Sequence, residues 1–224
     1  MLNRTQSFEP NETKRKLVDA GVSLMRAHGY NATTVDQICS AAGVTKGGFF
    51  HYFKSKDELA GAALAHFYEG KVKDYEDAPF RKLPDPLDRV FGRLDYVEST
   101  VGDRNHHTKG CLIGVFVQEL AFTNPVLRSA CQKFFSKIAE DFGNDLAAAK
   151  TAHAPDAAFD PARLAVFYVA IVQGSLLLAK AAENSEVVGA NIEQFRSYLR
   201  ILFGLAESPS SKPSAQPAEL AVLS

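Results

Sequence analysis

At 224 residues, 46% hydrophobic and 23% charged, the chain has room for a small domain joined to a larger one, and its apolar content excludes wholesale disorder. The formal net charge is −1, but over residues 1–56 eight basic residues face four acidic ones, while the remainder carries 17 against 22. That asymmetry suits a protein that meets phosphates with one end. Three scattered cysteines, Cys39, Cys111 and Cys131, offer neither a disulfide framework nor paired zinc spacing, and no metal or cofactor is expected.

Apolar residues recur at three- and four-residue spacing and hairpin signals are lacking, so the expected fold is all-α, with about nine helices. After a loose arm over residues 1–10, a first helix opens at Asn11 and Glu12, turns Leu17, Ala20, Leu24, Met25 and Ala27 inward, and stops at Gly29. Thr34 caps a short second helix with Val35, Ile38, Ala41 and Ala42 on its inner face. Gly43 breaks it, and Thr45 caps a third helix of barely two turns. Ser55 caps a fourth, which runs to about Asp77 with Leu59, Ala62, Ala63 and Phe67 inward. The segment Ala78 to Pro86 holds three prolines and reads as a hinge. Further helices are expected at about 86–103, 111–122, 125–150, 161–183 and 188–205, and a low-complexity, disordered tail over 206–224.

The run Leu164 to Ala179 is interrupted by Gln173 and Ser175 and falls short of the ~20 residues of a membrane span, so it reads as a buried helix. The N-terminus lacks the apolar core of a signal peptide, and a cytoplasmic protein without membrane partner is expected. No nucleophile elbow, zinc-protease motif or phosphate loop is present, so no catalytic residues are assigned.

Residues 33–59 carry the densest signal: Thr-Thr-Val-Asp-Gln-Ile-Cys-Ser-Ala-Ala-Gly-Val-Thr-Lys-Gly-Gly-Phe-Phe-His-Tyr-Phe-Lys-Ser-Lys-Asp-Glu-Leu. Two short helices joined by a glycine turn form a helix-turn-helix, with Ala41 and Ala42 expected at the crossing and Val44 filling the gap. The third helix would present Thr45, Lys46, Phe49, His51 and Tyr52, with little bulk at Gly47 and Gly48 to hold it off a groove. Over about residues 12–60 the sequence resembles the DNA-binding module of the TetR family of repressors. The resemblance implies that Thr34 contacts the DNA backbone and that Thr45, Lys46, Gly47, Phe49 and His51 face the major groove. It also implies that Tyr52 and Lys56 hold phosphates. Two departures stand out: Phe50 replaces the usual Tyr, and Gly48 replaces Ser, Thr or Ala.

The organisation expected is a DNA-binding domain over 11–75 and a ligand-binding and dimerisation domain over 86–205. Dimerisation is assigned to the last two helices, through Ala170, Gly174, Leu177, Phe195, Leu199 and Leu202. A largely apolar small-molecule inducer would meet Phe91, Tyr96, His107, Cys111, Phe116, Gln118, Phe134, Phe167 and Gln173, although core packing accounts for most of these equally well. Cys111, beside Lys109 and two histidines at a helix start, is a candidate sensor of electrophiles or oxidants, or a structural thiol. The function expected is a homodimeric repressor released from operator DNA by its inducer. An activator, or a helical module that does not bind DNA, remains an alternative.

Overall fold

Capping chemistry sets the helix boundaries of the computed structural model, which describes residues 10–101 and 110–205. His107 and the tail expected over 206–224 lie outside them. Among the described residues there are nine α-helices and no strand. They are α1 (Pro10–His28), α2 (Val35–Ala42), α3 (Lys46–Tyr52), α4 (Lys56–Glu76), α5 (Pro86–Val101), α6 (Leu112–Leu120), α7 (Pro125–His153), α8 (Pro161–Ala182) and α9 (Glu186–Leu202). A 3-10 turn, Pro79–Lys82, precedes α5. The chain forms two compact units: described residues up to Glu76 with 110–134, and those from Asp77 to 101 with 135–205.

In the first unit α1 packs on α2, α4 and α6. Leu17, Val18 and Met25 are buried on α1, and Gly21 makes room for α4: a Cβ there would stand 2.5 Å from Leu59 Cδ2. The buried residues of α2 are Ile38 and Cys39, whereas Ala41, expected at the crossing, is exposed. Gly43 adopts the left-handed conformation (φ 65°) that ends α2 and turns the chain into α3.

In the second unit α8 and α9 pack on each other, and α9 on α5. Pro161 and the Asp160 carboxylate, which accepts from the amides of Ala162 (2.8 Å) and Arg163 (3.1 Å), start α8. The expected hinge is not a slack linker. Ala78 and Phe80 are buried, and the Phe80 ring lies 5.7 Å from that of Tyr96 on α5.

This core also buries charge. Arg93, 1% exposed, donates to Asp141 and Asp145 (3.2 Å to the latter), and its guanidinium lies 5.3 Å from the Phe80 ring and 5.1 Å from that of Phe142. Arg81 pairs with Asp141, and Arg89 with Asp145 at 3.3 Å. Removing one member of such a cluster leaves an uncompensated buried charge, which costs more than the cluster contributes.

Burial alone would raise the Asp141 carboxyl, but the hydrogen bonds and charges of Arg93 and then Arg81 outweigh it and hold the group below the ordinary aspartate range. A carboxyl depressed in the folded state stabilises fully above its unfolded value of about 4, and that contribution drains away as pH falls through the lowered value. Thermal unfolding followed from about pH 6 to about pH 2.5 should show the midpoint falling once pH drops below about 4. Asp141→Asn should start lower at pH 6 and fall less steeply.

Candidate nucleic-acid interface

The recognition region is built from caps inward. Thr34 Oγ1 accepts the Gln37 amide (3.2 Å), and the Gln37 side chain returns to the Thr34 amide (2.8 Å), a reciprocal capping box. Thr45 Oγ1 accepts the Gly48 amide at 3.1 Å and starts α3. Ser55 Oγ accepts from Glu58 (3.2 Å), whose carboxylate accepts the Lys54 amide (2.7 Å), and this starts α4.

Between these caps α3 turns one side inward. Phe49 (0% exposed) and Phe53 (2%) pack against each other in the core, with ring centroids 5.8 Å apart. Phe49 was expected to face the groove, and its burial corrects that assignment: it anchors α3 and cannot reach a base. Gly48 is likewise governed by packing, since a Cβ there would stand 2.8 Å from Val44 Cγ1. Its missing side chain admits Val44 rather than a groove wall.

The outward side gathers the rest. Thr34, Thr45, Lys46, Gly47 and His51 are all exposed, and Tyr52 is half-buried with its ring edge-on to His51 at 4.8 Å. Lys46 Nζ pairs with Asp36 on α2 at 2.9 Å, both side chains being largely exposed. Lys56 is tied first to the fold: its ammonium donates to the carbonyls of Tyr30 and Thr33, each at 2.9 Å, and lies 4.1 Å from the centre of the Tyr30 ring. The Tyr30 hydroxyl donates to Asp57. Burial, then that bond and the carboxylate charge, push it well above the usual tyrosine range. The α1–α2 turn is thus locked to the start of α4.

The same turn is held by α6. Arg26 donates through Nε and Nη2 to the Gly110 carbonyl (2.9 and 2.8 Å), the Tyr30 ring meets that of Phe116 edge-on at 5.9 Å, and Glu119 Oε2 accepts the Asn31 amide at 2.7 Å. Gly29 is left-handed (φ 92°), and a Cβ on it would stand 2.2 Å from Glu119 Oε1. Neither Arg26 nor Glu119 was singled out in the sequence, where an arginine before a glycine and a mid-helix glutamate look like surface residues.

A family model described as bacterial regulatory proteins, tetR family, matches residues 17–63. A second, described as transcriptional regulator LmrA/YxaF-like, C-terminal domain, matches residues 92–194. The chain belongs to the TetR family of DNA-binding transcription regulators. TetR-type relatives agree. The HTH-type transcriptional repressor DhaR of Mycobacterium sp. (strain GP1) is 27% identical over 186 residues, covering 77% of this chain and 85% of that protein. An HTH-type regulator of Lactococcus lactis subsp. lactis is 26% identical over 190 residues, covering 85% and 94%. A TetR regulator from Chloroflexus aurantiacus J-10-FL shares the fold with a TM-score of 0.76 at 24% identity, covering 85% of this chain and 95% of that one.

Of the candidate ligand residues, Cys111, Phe116, Gln118 and Phe134 belong to the first unit and Phe91, Tyr96, Phe167 and Gln173 to the second. Phe116 (1% exposed) packs on Tyr30, Phe134 stacks on Tyr68 at 3.9 Å, and Gln118 is exposed with its amide on the Gly114 carbonyl. Cys111 is the half-buried N-cap of α6. In the second unit Phe91 lies 5.4 Å from Arg200, Tyr96 sits against Phe80, Gln173 is half-buried, and Phe167 is 50% exposed. Of the dimerisation set, Ala170 and Leu177 are exposed, Gly174 has open space where a Cβ would be, and Leu202 is half-buried. Phe195 (1%) and Leu199 (0%) are core residues: Phe195 packs on Tyr168 and Phe142, which corrects their assignment.

The split between inward and outward residues of α3 is directly testable. Phe49→Ala should lower stability by about 3–5 kcal/mol, the usual cost of emptying a buried phenylalanine site, as read by denaturant unfolding. Lys46→Ala should leave the unfolding midpoint unchanged, weaken binding to the preferred DNA sequence by about 10-fold and relax discrimination at one position, as read by titration of matched and mismatched duplexes.

Proposed function

We propose that the protein is a repressor that binds a near-palindromic operator as a homodimer and leaves it when a small molecule binds. The observation that carries the reading is an apolar stripe along α8 and α9. Val166, Phe167, Leu177, Leu178, Tyr198 and Ile201 each leave between 42% and 75% of their surface exposed, alongside Ala170 and Gly174. By length and composition α8 would suit a bilayer, but the Asp160 cap and Gln173 fit a water-soluble helix with two covered sides better. Apolar stripes of this size mark partner surfaces, and a second copy is the partner a single short reader needs. Pairing sets two recognition helices at half-sites about one DNA turn apart and multiplies affinity.

In this reading Thr34 and Tyr52 contact the DNA backbone, joined by Lys56 through the N–H its two carbonyl bonds leave over. Thr45, Lys46, Gly47 and His51 approach the major groove. Repression, rather than activation, is favoured by the likeness to a relative named as a repressor. Release runs through α6. A molecule of largely apolar character that displaces α6 pulls on the Asn31 amide through Glu119 and on α1 through Arg26, and so rotates α3 off its half-site. Such coupling is reciprocal, so operator DNA weakens inducer binding by the same factor. The protein works in the cytoplasm, where its DNA is.

Selection of binding sequences from random DNA by the purified protein, at moderate salt without added ligand, tests the core of this reading. A palindrome with half-sites ~34–36 Å apart is expected. A folded dimer that enriches no sequence would overturn it. For the interface, Leu177→Glu combined with Ile201→Glu should convert dimer to monomer in sedimentation and lower operator affinity by at least about 100-fold, with helical circular dichroism retained.

A further inference from the structure

The outward face of α3 is polar except at one point. Lys46, Gly47, Phe50 and His51 follow one another at the spacing of a single helical face, all are exposed, and Phe50 leaves 51% of its surface in solvent. The two phenylalanines side by side in sequence therefore part company. Phe49 fills the core, and Phe50 rests one ring edge on it, 5.2 Å away at 81°. Folding makes little use of a ring placed this way, and its exposure works against solubility.

What covers it must be both anionic and locally apolar. Lys46 stands one helical turn before the ring on the same face, and Gly47 offers almost no obstruction: the nearest atom to a Cβ there is Thr45 Oγ1 at 4.0 Å. A backbone that bare lets the helix approach a surface closely. In the major groove of DNA the apolar feature at the base edges is the C5-methyl group of thymine. The Lys46 ammonium is already partly balanced by Asp36 at 2.9 Å, which leaves this face less able to select by charge alone.

We infer that Phe50 is a specificity-determining residue that reads thymine by packing its exposed ring edge on C5-methyl groups in each half-site. The inference rests on the operator-binding reading above. Its consequence is a half-site defined at one or two positions by a methyl group, without a hydrogen bond from this residue.

The test uses the full-length protein and the duplex it enriches from random DNA. Each thymine of a half-site is replaced singly by deoxyuridine, which removes the methyl and leaves the base pair. Wild type should lose about 4-fold in affinity at one or two positions, the worth of one methyl-sized group buried. Phe50→Ala, its helix content verified by circular dichroism, should bind the thymine duplex about as weakly as wild type binds the uracil one, and should not distinguish the two. Uracil tolerated throughout by a wild type that still binds tightly overturns the role of Phe50 and leaves operator binding standing. Equal sensitivity in wild type and Phe50→Ala also overturns it, by assigning the methyl effect elsewhere. If the protein enriches no duplex, the operator reading and this inference fall together.

Discussion

A helix of seven residues with two adjacent glycines has no stability of its own in water, because nucleating a helical turn costs more than so short a run of hydrogen bonds returns. That α3 exists at all depends on Phe49 and Phe53, which fix it from below, and on Thr45, which closes its first turn. The outward residues contribute little to holding the helix, so they can be selected for what they meet. Structural and recognition duties are separated within two turns of chain.

The rigidity of α3 has to be handed to something larger: α3 packs on α2, α2 on α1, and the turn between α1 and α2 is itself anchored. Lys56 and Asp57 fasten that turn to α4, while Arg26, Phe116 and Glu119 fasten it to α6. Helix α6 lies far along the sequence from the recognition region, yet it belongs to the same compact unit. An element that sequence order would group with the regulatory half is therefore mechanically part of the reader. The first turns of α7 belong there too, and its remaining turns lie in the other unit.

What the sequence reveals and conceals follows from range. Thr34, Gly43, Thr45 and Ser55 act on neighbours within four residues, so their roles as caps and turn are legible directly, and helix boundaries follow within a few residues. Facing is a matter of phase, and phase is set by tertiary partners. Phe49 and Phe50 are identical in type and adjacent, and only the docking of α3 decides which is core. The same ambiguity put Phe195 and Leu199 at an interface when α5, α7 and α8 already enclose them. A run apolar on every side, as in α8, has two faces to cover, and its inward face was the easier one to choose. Long-range polar contacts such as Glu119 with Asn31 leave no local trace.

The pairing of Gly29 with Glu119 carries a consequence for descent. Any side chain at residue 29 meets both a left-handed backbone and an occupied carboxylate position, so the two sites are not independent letters. A lineage that replaces the glycine must first shorten or withdraw the glutamate, and in doing so gives up the bond to Asn31. The two residues should therefore be kept or lost together among descendants of this sequence, although ninety positions separate them.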